Sequence, residues 1–153
     1  MMMQQLHPLK MINKFLLILT CFAFLSANTE QEKEIALHHF MQGEFLMNQG
    51  NYALAVLEFQ DAIDLDPNAA TIHISIADAY RRLGKGKRAE DHLMIALDLD
   101  PKDLEAREML GQLYLTQNKF IDAELVFKEL KILEPNNLDY LFTLADLARL
   151  QKN

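Results

Sequence analysis

Histidines, paired carboxylates, a lone cysteine and one basic cluster are the groups in this 153-residue chain whose types and spacing could support chemistry. His38 and His39 are neighbours and would point about 100° apart on a helix, which prevents them from sharing one metal ion. His39 and His73 are 34 residues apart, and a repeated packing role between helices, with one nitrogen open to water, explains them without a metal. The acidic pairs Asp64 with Asp66 and Asp98 with Asp100 lack partners that would split their pKa values for acid and base work. They read as solvated helix ends. The chain has no glycine-rich phosphate loop, no nucleophile elbow and no cysteine-histidine constellation, and neither of its serines, Ser26 and Ser75, has the setting of a nucleophile. No catalytic residue and no cofactor is therefore expected, and the chain reads as a non-enzyme.

The basic cluster runs Arg81, Arg82, Lys85, Lys87 and Arg88 around Gly84 and Gly86. It suits either a solvated helix end, where cations complement the dipole, or a docking patch for an acidic partner or a lipid phosphate. Outside the leader the chain holds 13 basic against 22 acidic side chains, nine more negative than positive. Such a body repels nucleic-acid phosphates, so no nucleic-acid partner is expected.

Ahead of Glu30 there is no acidic residue, and Phe15 to Leu25 form an eleven-residue apolar run preceded by Lys10 and Lys14 and followed by Ser26 and Ala27. That is the layout of a secretory signal peptide over 1–27, with a mature start at Asn28 and an alternative frame start at Met11. The run is short for a membrane span, which needs about 20 apolar residues. The expected location is the periplasm or cell envelope of a bacterium. An uncleaved anchor, or lipidation at Cys21 in the sequence Ile18-Leu19-Thr20-Cys21, is the membrane-associated alternative. With one cysteine, no intramolecular disulfide can form.

The elements that must carry these groups follow from a period. Leu65-Asp66-Pro67, Leu99-Asp100-Pro101 and Leu133-Glu134-Pro135 recur every 34 residues. In that register small residues align (Gly43, Ala77, Gly111, Ala145; and Ala55, Ala89, Ala123), as do bulky ones (Leu46, Tyr80, Tyr114; and Phe59, Leu93, Phe127). Ala62 and Ala96 share a further column with Leu130. Two antiparallel helices approach to about 8–10 Å where one offers a small side chain to the other's large one. Gly50, Gly84 and Asn118 end each first helix, and a proline follows each second one. Helices are predicted over 33–49, 52–65, 69–83, 86–99, 103–117, 119–133 and 137–151. Gly86 stands where the sister units have Tyr52 and Phe120, which predicts a looser second turn.

These columns resemble the tetratricopeptide repeat family. After a lead-in over 28–35 the resemblance covers 36–153, as repeats 36–69, 70–103 and 104–137 and a partial fourth, 138–153. His39, His73 and Arg107 stand where the family most often has an aromatic residue. The resemblance implies an all-α solenoid of helix-turn-helix units in a right-handed superhelix. It also implies a protein or peptide partner held on the concave face of the first helices by Leu37, Phe40, Glu44, Met47, Thr71, Ile74, Asp78, Arg81, Glu105, Glu108 and Gln112. That face passes from apolar to acidic, which suits a ligand with an apolar segment followed by a basic one. Some relatives clamp acidic chaperone tails with Lys, Asn and Arg, but the matching slots here hold Phe40, Glu44, Ser75, Glu105 and Met109, so that clamp is absent.

The last unit ends where a second helix would begin, and Leu138, Leu141, Leu144, Leu147 and Leu150 are hard to reconcile with a polar outer face. A truncated sequence, self-association through 138–150 and an ordinary cap are all consistent with this. The reading is an interaction scaffold. Its alternative is a structural or oligomerisation fragment of a longer solenoid with no ligand of its own.

Overall fold

The computed structural model describes residues 30–151, so the leader and Cys21 lie outside the described residues. Helix α1 covers 30–48 and is followed by α2 (Tyr52–Leu65), α3 (Ala70–Arg82), α4 (Gly86–Leu99), α5 (Leu104–Thr116), α6 (Phe120–Leu133) and α7 (Leu138–Leu150). There is no strand among the described residues. All seven expected helices are present; the bounds of α2 and α4 are as expected and the ends of the others differ by at most three residues. The chain is an all-α helical repeat solenoid in which α2 packs on α3, α3 on α4, and so on to α7, while α3 also touches α5.

Turn chemistry sets this path. Gly50, Gly84 and Asn118 have φ of 76°, 70° and 57°, the left-handed region that closes a helix. After α1 the Asn51 N–H donates to the Leu46 carbonyl (2.9 Å) and the Gly50 N–H to that of Met47 (3.0 Å). The same two bonds follow α3 (Lys85 to Tyr80, 2.8 Å; Gly84 to Arg81, 3.0 Å) and α5 (Lys119 to Tyr114, 2.9 Å; Asn118 to Leu115, 3.1 Å). The second turn is therefore closed by the same pair of bonds as its neighbours, and the looseness expected from Gly86 is not found. Gly86 is instead a point of close approach, since a Cβ there would lie 2.6 Å from Gln117 Nε2 of the next repeat.

Starts of the first helices are less uniform. The Asp103 side chain accepts from the Ala106 N–H (2.8 Å) at α5, and Asn137 accepts from the Asp139 N–H (3.1 Å) at α7. At α3 the same slot is Ala69, which has an extended backbone (φ −82°, ψ 97°) suited to a cap but no side chain to accept. Ala69→Asp is expected to raise unfolding free energy by about 1 kcal/mol. A urea titration of the variant beside the parent checks this, and an unchanged midpoint would show that α3 needs no cap.

The core follows the columns read from the period. Ala55, Phe59 and Ala62 of α2, Ala89, Leu93 and Ala96 of α4, and Ala123, Phe127 and Leu130 of α6 are all buried. A Cβ placed on Gly43 would lie 2.6 Å from Phe59 Cδ1, and one on Gly111 would lie 2.9 Å from Phe127 Cε2. The small column thus seats the large one, and α1 and α5 lie as close to their second helices as the aromatic rings permit.

Candidate functional site

The first helices present the predicted groove residues very unequally. Leu37, Thr71, Arg81, Glu105, Glu108 and Gln112 are exposed, and Phe40, Glu44, Met47 and Asp78 are half-buried. Phe40 leans on the core, with its ring centroid 5.9 Å from that of Phe59. Ile74 is 5% exposed and belongs to the core, so it offers no ligand surface. Asp78 pairs with Arg81 (Nε to Oδ1, 2.9 Å) and with Arg82 (3.5 Å), and the Tyr140 hydroxyl donates to Glu108. The exposed surface on these helices is acidic at Glu105 and apolar at Leu37, with Glu44 half-buried.

The basic cluster is brought together and is largely spent on local partners. Arg81 and Arg82 are held by Asp78, and Lys87 reaches Asp91 (2.9 Å) and Glu90 (4.0 Å). The Asp91 hydrogen bond and then the Glu90 charge raise the pKa of Lys87. Lys85 and Arg88 lie over the Tyr80 ring at 5.9 and 5.5 Å from its centroid, and Arg88 also donates to the Tyr80 hydroxyl (3.2 Å). Arg82 lies 5.9 Å from the Tyr52 ring centroid. Cations over ring faces lock the turn to the end of α3.

The aromatic slot of the family has been rebuilt as a polar clasp. His73 Nε2 lies 3.1 Å from the Pro67 carbonyl, and Arg107 Nη2 donates to the Pro101 carbonyl (2.6 Å). Each side chain reaches back six residues to the proline that closes the preceding unit. Neither nitrogen of His73 is left to water, because Nδ1 meets His92 Nδ1 at 3.1 Å. His39 Nδ1 bonds Glu58 (2.8 Å), which joins α1 to α2. With Asp61 these two offer three donor atoms within 4.8 Å of one another. The hydrogen bond between His39 and Glu58 already accounts for the closest pair.

Sequence reasoning missed the tyrosine and carboxylate ties between repeats. The Tyr114 hydroxyl donates to Glu90 Oε1 (3.2 Å) and Lys119 Nζ to Glu90 Oε2 (3.0 Å), so α4 is tied to α5 and to the residue that opens α6. Burial, followed by the Glu90 charge and hydrogen bond, pushes the Tyr114 phenol up to about 12. Tyr140, buried between Glu108 and Glu134 (3.4 Å), is raised by burial first and then by Glu108. Both phenols thus stay protonated and act as donors at neutral pH. The tyrosine column at 80 and 114 is visible in the period, but the carboxylate partners of Tyr114 and of Tyr140, which lies outside that column, sit 24 and 32 residues away on other helices.

Architecture and turn chemistry define a helical-repeat protein, and comparison with known proteins gives its family. A TPR repeat model matches residues 43–84 and a tetratricopeptide repeat model matches residues 74–137. The chain belongs to the tetratricopeptide repeat family. DnaJ homolog subfamily C member 3 from Bos taurus is 32% identical over 126 residues, covering 80% of this chain. The chain spans 24% of that relative's length. Among solved structures, the first TPR of Spaghetti (RPAP3) bound to the HSP90 peptide SRMEEVD superposes with a TM-score of 0.73 at 25% identity, covering 79% of this chain and 96% of that one. The Arabidopsis OM64 TPR domain shares the fold, with a TM-score of 0.71 at 22% identity over 77% of this chain and 98% of that one.

Proposed function

We propose that this chain is an exported, non-enzymatic interaction scaffold in the cell envelope that holds an extended peptide or a partner helix against its first helices. The observation that carries the reading is the contact of α3 with α5, which joins successive first helices into one surface. Support also comes from the RPAP3 domain, which carries a bound peptide on a fold of the same kind. That peptide, SRMEEVD, is acidic, whereas the exposed positions here include Leu37 and Glu105, with Glu44 half-buried. The ligand class that fits is an apolar segment followed by a basic one, because a carboxylate-lined surface attracts cations and repels acidic tails. The apolar leader run with Lys10 and Lys14 ahead of it supports export. Among the described residues no helix is long and apolar enough to cross a membrane.

Two labelled peptides test the groove by fluorescence anisotropy: SRMEEVD, and a peptide with three leucines followed by three lysines. The basic peptide is expected to bind, and Leu37→Ser with Glu105→Lys should weaken it by about tenfold without moving the thermal midpoint. Preference for SRMEEVD, or indifference to the two substitutions, would overturn the reading. For export, intact-mass measurement of the chain recovered from a bacterial periplasm should show a start at Asn28. A retained leader would favour the anchored form.

A further inference from the structure

One slot between the paired helices is filled differently in each unit. In the 34-residue register, positions 39, 58 and 61 recur as 73, 92 and 95 and as 107, 126 and 129. The second unit sets His73 against His92 (3.1 Å), with Ile95 at the third position. The third unit has Val126 at the second position, and its Arg107 Nε donates to Glu129 (3.2 Å). That unit carries its own cation in the slot. The first unit has two carboxylates there and no fixed cation: Glu58 Oε2 meets His39 Nδ1 at 2.8 Å, and exposed Asp61 has no hydrogen bond or ion pair among the described residues. The 34-residue spacing of His39 and His73 explains neither carboxylate.

Glu58 and Asp61, three residues apart, share one face of α2, and α1 brings an imidazole to it. One ligand atom from each of the three lies within 4.8 Å of the other two. A tetrahedral zinc ion with bonds of about 2.0–2.2 Å keeps its ligands about 3.3–3.5 Å apart. The His39 and Glu58 atoms must therefore part by about half an ångström and Asp61 must turn inward, movements that side-chain torsions supply. Nδ1 then presents its lone pair, with the ring proton on Nε2. One nitrogen and two carboxylates leave the fourth position to water, on the side where Asp61 is exposed. The imidazole selects among ions, because it suits zinc, whereas an all-oxygen set suits calcium or magnesium. Access to the slot is a property of the unit and not of either end of the array. The second unit has a unit on each side and still leaves Ile95, at the Asp61 position, 40% exposed.

We infer that His39, Glu58 and Asp61 form a zinc site that bridges α1 and α2 of the first unit. This assignment is independent of what the first helices bind. Calorimetric titration of the full chain with zinc chloride tests it, beside Asp61→Asn, His39→Gln and His38→Gln, with and without excess calcium chloride. The expected result is one equivalent bound per chain, weakened at least about tenfold by Asp61→Asn and by His39→Gln. His38→Gln and calcium should leave it unchanged. Zinc should also raise the thermal midpoint of the parent but not that of Asp61→Asn, because the assembled site exists only in the folded chain. Asp61→Asn is the decisive variant. Its side chain is exposed and takes no part in the hydrogen bond between His39 and Glu58, so the metal-free fold should keep its circular dichroism and its midpoint. An absence of saturable zinc binding would overturn the inference. Binding that survives Asp61→Asn would overturn it and move the ion to other histidines or to Cys21. Equal losses in His38→Gln and His39→Gln would reduce the site to a surface pair of rings, and displacement by calcium would reduce it to a surface cluster of carboxylates; either result overturns the assignment.

Discussion

Phe59→Ala is expected to cost about 3–5 kcal/mol of unfolding free energy, the largest loss predicted for a single position. Phe59 is fully buried, packs against Phe40, and presses its ring on the Gly43 backbone. Truncation removes the burial of the ring and leaves a cavity that α1 can close only by moving toward α2. Gly43→Ala is expected to destabilise as well, although Ala is the better helix former by about 1 kcal/mol. Its Cβ would lie 2.6 Å from Phe59 Cδ1, and relieving such overpacking costs about 1–3 kcal/mol. The decisive result is the double variant. With the ring gone, Gly43→Ala should become neutral or stabilising, so the two substitutions should show a coupling of about 1–3 kcal/mol in a urea-unfolding cycle. Additive losses would mean that the glycine is set by something other than the ring.

That coupling also shows what the period could and could not reveal. Gly43, Ala77 and Gly111 were legible as small seats because a 34-residue register lays them over one another, and the buried Phe59, Leu93 and Phe127 meet that expectation. Asn118 was legible as a left-handed residue because it shares a slot with Gly50 and Gly84, and its φ of 57° agrees. The register describes what each unit repeats, and the misses are places where one unit borrows from another. Gln117 reaching Gly86 supplies an atom from the next repeat, which composition at Gly86 alone could not announce. Ile74 was placed in the groove because its slot lies on a first helix, but that slot faces inward where Phe40 is half-buried and Phe142 is open. One column thus serves as core, edge and surface according to what covers it. The carboxylate ends of the Tyr114 and Tyr140 ties do not follow the period in every unit, since the column of Glu90 holds Val56 in the unit before it and that of Glu108 holds Ile74 and Phe142 on either side.

Acidification from pH 8 to about 5.5 is expected to destabilise the solenoid through His92, and its burial beside His73 gives the reason. The Pro67 carbonyl can only accept, so His73 Nε2 carries the proton that it shares at 3.1 Å. Neutral His73 then has a lone pair at Nδ1, and the 3.1 Å contact with His92 requires the proton to sit on His92 Nδ1. His92 stacks on Tyr80 at 5.6 Å between ring centroids. Burial lowers its pKa, with His73 and Arg88 pushing the same way and Asp91 opposing them. Because the folded pKa lies below the ordinary value of about 6.5, the unfolded chain takes up a proton first as the pH falls. The stability present above about pH 6.5 is therefore lost below it, and the loss levels off under the folded pKa of His92. His92→Gln keeps a donor for His73 Nδ1 and removes the titration, so its urea midpoint should change less over this pH range than the parent's. His73→Phe keeps the bulk but leaves the His92 donor and the Pro67 carbonyl without their partner, at a cost of about 1–3 kcal/mol at pH 8. An equal pH response in parent and His92→Gln would place the titrating group elsewhere. A neutral His73→Phe would mean that water serves the clasp as well as the imidazole does.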